Sequence, residues 1–227
     1  MNEIDKALPK DERILLAAKE VFSRKGYLQA SLDEIIELAD TGKGTVYNYF
    51  KNKDNLFYTL ANNINTPFVD ALQKIYDSNQ SVPDKLEQYL CVMIDFLRAN
   101  DTLWQVLFYE MLGANKGWHL LEADDGSEES RVIVKWGAEP TEEEIERIKK
   151  YYFLTFASFK ILDKILIDGV EQQYFKTMID EDDIHYVARH LYGGICMTVF
   201  FSIDDLKDTS ELAKIITERF LFGFANA

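Results

Sequence analysis

Residues 41 to 53 read TGKGTVYNYFKNK, with three lysines, two glycines and three aromatic residues, and no acid among them. Ammonium, hydroxyl and amide groups at this density suit the phosphate oxygens and base edges of a nucleic acid. Closely spaced glycines let a backbone approach its partner. The whole chain carries a formal charge of -14, which opposes such binding, because phosphates dominate the affinity for nucleic acids. That charge is unevenly spread. Residues 1–65 hold nine Lys/Arg against ten Asp/Glu, whereas 66–227 hold 16 against 29. The acidity belongs to the larger part, so a locally positive surface can stand on an acidic body.

Short helices must present these groups. Ile14, Leu15, Ala18, Val21 and Phe22 recur at helical spacing, and RKGY then supplies a glycine stop at Gly26 behind Arg24 and Lys25. Ser31 and Glu34 have the spacing of a capping box, in which each side chain satisfies an orphan backbone donor. Ile35, Ile36, Leu38 and Ala39 then give a second helix its inward face, ending at Asp40. The chain is helical again through Val46 and Phe50, one turn apart and able to point back at the first two helices. Helix, helix, tight turn, helix is the order of a helix-turn-helix unit. Its last helix enters the major groove by the N-terminal end, where backbone N–H groups and the dipole favour phosphate. With Val46 and Phe50 inward, Lys43, Thr45, Tyr47, Asn48 and Tyr49 take the remaining sides, Gly42 and Gly44 allow close approach, and Lys51 and Lys53 follow.

The run RILLAAKEVFSRKGYLQASLDEIIELADTGKGTVYNYFKNKDNLF, residues 13 to 57, resembles the N-terminal DNA-binding domain of the tetracycline-repressor (TetR-type) family of transcriptional regulators, with KGTVYNYF followed by KNKDNL as its most specific part. The resemblance implies that Lys43 to Tyr49 form the recognition helix, that Tyr47 and Lys53 contact phosphates, and that the second helix begins at the DNA backbone through Ser31. Ala39, Asp40, Thr41 and Gly42 stand where the family usually has Ala-Gly-Val-Ser. Asp40 can adopt the left-handed conformation that glycine would. Gly42 lacks the hydroxyl that would cap the helix, and Thr41 replaces an apolar residue that packs between helices, so a slightly weakened turn is expected.

Beyond residue 55 long helical patterns dominate. A linker helix is expected from about Asn55 to Asp77, SNQSVP breaks it, and Pro83 starts another through Phe96 and Leu97. TLWQVLFYEMLG is apolar almost all round, which indicates a mostly buried helix. A long helix should run from Thr141, as N-cap, to Asp168. Between them, residues 118 to 140 hold an acidic turn and the β-branched run RVIVKW, which predicts a short hairpin or an ordered loop. The fold class is therefore all-α: a helix-turn-helix DNA-binding domain at 1–57 and a larger helical domain at 58–227 for effector binding and dimerisation, with a possible β-hairpin insertion near 118–140.

The last two helical patterns, DDIHYVARHLYGGICMTVFF and SELAKIITERFLFGF, are amphipathic, and Gly193-Gly194 could admit a partner backbone. They resemble the two helices that build the family's dimer interface, which implies a homodimer on a palindromic, double-stranded DNA operator. Trp104, Phe108 and Met111 lie on one helical stripe and Tyr152, Phe156 and Phe159 on another. Facing each other, they would line a pocket for a small apolar or aromatic effector, with Glu110 as polar anchor. Packing alone is the simpler reading of such stripes.

Enzyme chemistry finds little support. His185 and His190 are five apart and miss the spacing that puts two metal ligands on one helix face. No catalytic residue, metal site or cofactor is expected. Cys91 and Cys196 read as buried packing thiols, and neither a signal peptide nor an apolar run of ~20 residues appears, so a cytoplasmic location is expected. The function expected is that of a repressor released from its operator by a small molecule. The alternative is a DNA-binding regulator whose helical body docks a protein.

Overall fold

A computed structural model of the chain describes residues 4–111, 117–121, 131–175, 181–201 and 207–222. Among these residues nine helices and one two-stranded sheet follow in the order α1 (Lys10–Gln29), α2 (Leu32–Leu38), α3 (Lys43–Phe50), α4 (Lys53–Tyr76), α5 (Val82–Ala99), α6 (Asp101–Met111), β1 (Trp118–Leu121), β2 (Arg131–Val134), α7 (Glu142–Glu171), α8 (Glu181–Phe201) and α9 (Thr209–Phe222). The all-α class with a small hairpin insertion is thus the observed one. Helix starts follow the capping chemistry of the sequence. Ser81 accepts from the Asp84 N–H, with Pro83 in the first turn of α5. Thr141 and Glu144 form a reciprocal capping box at α7, Thr141 Oγ1 accepting from Glu144 N at 3.3 Å and Glu144 Oε2 from Thr141 N at 2.9 Å.

Two compact units emerge from the contacts, Met1–Ile64 with Thr102–Leu154 and Asn65–Asp101 with Thr155–Ala227. In the first, α1, α2 and α3 pack on one another. Ile14, Ala18, Val21, Phe22, Ile35, Val46, Leu56 and Phe57 are buried there. Phe57 sits edge-on to Phe22 at 4.9 Å, to Tyr27 at 5.2 Å and to Tyr151 of α7 at 5.5 Å, so the core of the three-helix unit extends into the start of α7. Truncating so central a ring costs about 3–5 kcal/mol.

Gly26 interrupts α1 instead of ending it. Its φ of 72° lies in the left-handed region that a side chain resists, and a further turn runs on to Gln29. The hairpin pairs Trp118 with Val134 and Leu121 with Arg131, antiparallel. Gly117, at φ 56°, is covered by the Trp136 indole so closely that an added Cβ would meet it at 2.4 Å.

In the second unit α5 packs against α9 and α8. Leu86, Leu90, Ile94, Leu162, Ile165, Ala188 and Ala213 are buried. Arg98 of α5 donates to Thr209 Oγ1 at 2.5 Å and to the Lys207 carbonyl at 2.6 Å, while Thr209 donates to Asp95. These bonds fix the start of α9. Cys196 is buried as expected, but Cys91 is only half-buried, because it falls between the inward stripes of α5.

Candidate nucleic-acid interface

Val46 and Phe50 turn α3 inward, at 1% and 7% exposure, and everything between them faces out. Lys43, Gly44, Tyr47, Asn48 and Tyr49 are exposed, Thr45 half-exposed, and Gly42 and Lys51 exposed at the two ends. Tyr47 and Tyr49 are 43% and 54% exposed, so neither is core. α3 therefore displays hydroxyl, amide and ammonium groups on a continuous face, as its pattern required.

The turn before α3 shows the effect of its unusual sequence. Asp40 takes φ 48°, the conformation expected of it. Its carboxylate is paired with Lys6 at 2.8 Å, and that hydrogen bond and charge hold its pKa below the usual carboxylate range. Thr41 Oγ1 is buried and finds no hydrogen-bond partner among the described residues, which costs about 1–3 kcal/mol. Gly42 caps α3 through its carbonyl alone, accepting from Thr45 N at 2.9 Å, with no side-chain cap. The Lys43 and Gly44 N–H groups are left for an external acceptor such as phosphate.

Ser31 caps α2 by accepting from Glu34 N at 3.2 Å, but the reciprocal half of the expected capping box is not the use made of Glu34. Its carboxylate is taken by Arg24 and, at 2.6 Å, by Lys25. Two basic residues just before the Gly26 break in α1 outcompete one backbone N–H for the carboxylate, since hydrogen bonds between charged groups are the stronger ones.

Lys43 approaches Asp33 at 3.5 Å and lies over the Tyr47 ring at 5.9 Å. Lys53 is half-buried, and its ammonium donates to the carbonyls of Tyr27 at 3.0 Å and Ala30 at 3.1 Å while lying 4.5 Å over the Tyr27 ring. The same ring lies 5.6 Å from the Arg147 guanidinium of α7. Arg147 approaches Asp54 at 3.6 Å at the edge of a cleft of about 270 Å³ lined by Asn52, Asp54, Tyr58, Glu146, Arg147 and Tyr151. Sequence reasoning missed Lys6 and Arg147, since their partners lie 34 and 93 residues away in the chain and no local pattern announces them.

The residues expected to line an effector pocket divide between the units. In the first, Trp104 is buried and Phe108 and Tyr152 half-buried; in the second, Phe159 is buried and Phe156 half-buried. Phe156 and Phe159 lie 5.3 Å apart, and Phe159 meets Tyr192 edge-on at 5.9 Å. The side chains of Glu110 and Met111 lie outside the described residues. A polar group the sequence did not suggest lies beside Phe159. Tyr89 donates to the Ser158 carbonyl at 2.9 Å, Ser158 Oγ to the Thr155 carbonyl at 2.9 Å, and the Ser158 and Tyr192 hydroxyls lie 3.0 Å apart. Burial pushes both tyrosine hydroxyls above their ordinary pKa.

His185 is held by Asp163 at 2.8 Å and His190 is exposed. Among the described residues no cluster of His, Cys, Asp and Glu could hold a metal ion, and no helix is long and apolar enough to cross a membrane.

Residues 14–59 match the sequence model of "Bacterial regulatory proteins, tetR family". The "Fatty acid metabolism regulator protein" of Bacillus subtilis is 24% identical over 220 residues, covering 96% of this chain and 97% of that one. "HTH-type transcriptional regulator QacR" of Staphylococcus aureus is 41% identical over 51 residues, 22% of this chain and 27% of that one. The crystal structure of the transcriptional regulator FadR from Bacillus subtilis, in complex with stearoyl-CoA, superposes with a TM-score of 0.67 at 20% identity, covering 94% of this chain and 99% of that one. Residues 14–59, with the outward-facing α3 among them, thus match the tetR family of bacterial regulatory proteins, and over nearly its whole length the chain is similar to a regulator protein.

Proposed function

We propose that the protein is a sequence-specific DNA-binding transcriptional regulator, a repressor acting in the cytoplasm, whose hold on a palindromic operator is released by a small-molecule effector. The observation that carries this reading is the outward face of α3, where Tyr47, Asn48 and Tyr49 are exposed although the helix is anchored by Val46 and Phe50. Residues 1–57 carry the DNA contacts. Lys43, Gly44, Thr45 and Asn48 meet base edges or nearby phosphates, while Ser31, Gly42, Tyr47, Tyr49, Lys51 and Lys53 hold the backbone.

Residues 58–227 carry dimerisation and effector binding. α8 exposes Tyr186, Met197 and Phe201 at 71%, 56% and 71%. Between them, a Cβ on Gly193 or Gly194 would meet no described atom within 4 Å apart from its chain neighbours and the backbone of its own helix. An exposed apolar stripe with room for a backbone suits a second copy of α8 and α9. Two copies are also needed to read two half-sites about 34–36 Å apart. A regulator of similar fold has been crystallised with stearoyl-CoA, whose acyl chain is apolar, and this supports an effector with an apolar part in the helical body. Effector binding would then favour a spacing of the recognition helices that no longer matches the half-sites. A docked protein in place of a small ligand is the second reading, favoured by the exposed Ile133 and Trp136 beside the hairpin.

Selection of duplexes from a random-sequence pool by the full-length chain tests the reading. An enriched two-fold symmetric sequence, bound less tightly by Asn48→Ala and Lys43→Ala, is expected. A pool that remains random would remove it.

A further inference from the structure

We infer that Arg147, on the second turn of α7, is a positioning residue for the recognition helix, acting through the joint between α3 and α4. The inference rests on the DNA-binding reading above and names the element that controls that site. All the groups concerned lie in the first compact unit.

The joint is short. α3 ends at Phe50, Lys51 turns the chain at φ 64°, and Asn52 caps α4 by accepting from Asn55 N at 2.8 Å. Lys53 and Asp54, the first two residues of α4, are each held by another part of the unit. Lys53 donates to the last carbonyls of α1, at Tyr27 and Ala30. Asp54 faces Arg147 at 3.6 Å. Its Oδ1 is buried and has no hydrogen-bond partner among the described residues, so the guanidinium supplies the positive charge that this oxygen needs.

Tyr27 joins the two restraints. Its ring lies 4.5 Å from the Lys53 ammonium and 5.6 Å from the Arg147 guanidinium, and packs edge-on against Phe57, which in turn packs on Tyr151 one turn beyond Arg147. The ring attracts both cations, and the Asp54 carboxylate offsets the charge of the Arg147 guanidinium beside it. Arg147 thereby ties the start of α7 to the end of α1 and the start of α4, and the only chain between α4 and the recognition helix is Lys51 and Asn52. α7 continues as one helix to Glu171, well beyond the first unit. A displacement of α7 therefore reaches α3 by loosening this joint, without any contact between α7 and DNA.

Positioning and phosphate contact predict different results. A residue that fixes the angle of α3 matters most where base edges must align, and little for non-specific binding, which needs only phosphates. With the full-length chain, Arg147→Ala should weaken binding to a selected duplex by roughly tenfold. It should weaken a random-sequence duplex much less, and leave the dependence of affinity on salt unchanged. Arg147→Lys, which keeps the charge near Asp54, should recover part of the loss. Asp54→Asn should reproduce the loss of discrimination in a shape-preserving variant, and Arg147→Ala on top of it should add little.

An Arg147→Ala chain that binds both duplexes as well as the unchanged protein does, or that loses both equally with a shallower salt dependence, would overturn the inference. Should Arg147→Ala not fold, Asp54→Asn decides alone: retained discrimination there would also overturn it. In all these cases the unchanged chain still binds a selected duplex. Failure of the unchanged chain to select any duplex would instead remove the DNA-binding reading itself.

Discussion

The Lys53 ammonium donates to the Ala30 carbonyl at 3.1 Å, so a lysine assigned to DNA phosphate also closes the end of α1. Both roles are compatible, since an ammonium has three donors, but they leave different traces. If Lys53 holds a phosphate, Lys53→Ala weakens binding to all duplexes alike and lowers the slope of log affinity against log salt by about one. The lost bonds to Tyr27 and Ala30 additionally cost about 1.5–3 kcal/mol of stability. An unchanged slope with lowered stability would leave Lys53 as a brace of α1 only.

Thr45 stands half-exposed in the first turn of α3. Thr45→Ala is expected to relax sequence preference, seen as a flatter base distribution after duplex selection, with salt dependence intact. A sharper loss on phosphate-only binding than on discrimination would place Thr45 at the backbone instead.

Much of this interface could be read locally. Val46 and Phe50 are one turn apart, so their inward direction, and with it the outward face of α3, follows from helical period alone. Ser81, Thr141 and Ser31 act on donors three residues on, and each cap is legible for the same reason. What was not legible depends on distant partners. Glu34 looked like a capping-box acid and was taken by Arg24 and Lys25 across a tertiary gap. The charge balance changes after residue 65, but charge carries no information on packing: 102–154 pack with 1–64, and Tyr151 adds to the ring cluster around Phe57. The ring stripes of α6 and α7 have the right period for either a pocket or a core, and period cannot separate the two.

That ambiguity gives a test of the effector. Phe156 is half-buried beside Phe159, and Trp104 is a buried indole. An aromatic or acyl-chain compound that lowers affinity for a selected duplex should also change tryptophan fluorescence, and Phe156→Ala should weaken both effects together. If Phe156→Ala only reduces stability, by about 3–5 kcal/mol at most, with the effector response intact, these rings are packing.

Burial pushes the Cys196 thiol up to about 12. The neutral thiol is thus favoured in the folded chain, and its contribution is fully present below the unfolded value near 9 and is lost as pH rises towards 12. At pH 8 the thiolate is scarce, on the order of one in 10,000. Iodoacetamide should therefore leave Cys196 unmodified in the native protein and label it on unfolding, as peptide mass mapping would show. Native labelling at Cys196 would mean that this part of α8 opens.

The central claim is that two copies of the chain present two α3 helices to one symmetric DNA site. Sedimentation of the full-length chain with its selected duplex measures this directly, from the mass of the complex and the symmetry of the sequence. Two chains, or a multiple of two, on an inverted repeat with half-sites about one helical turn apart is the predicted result. One chain bound to an asymmetric sequence would contradict it.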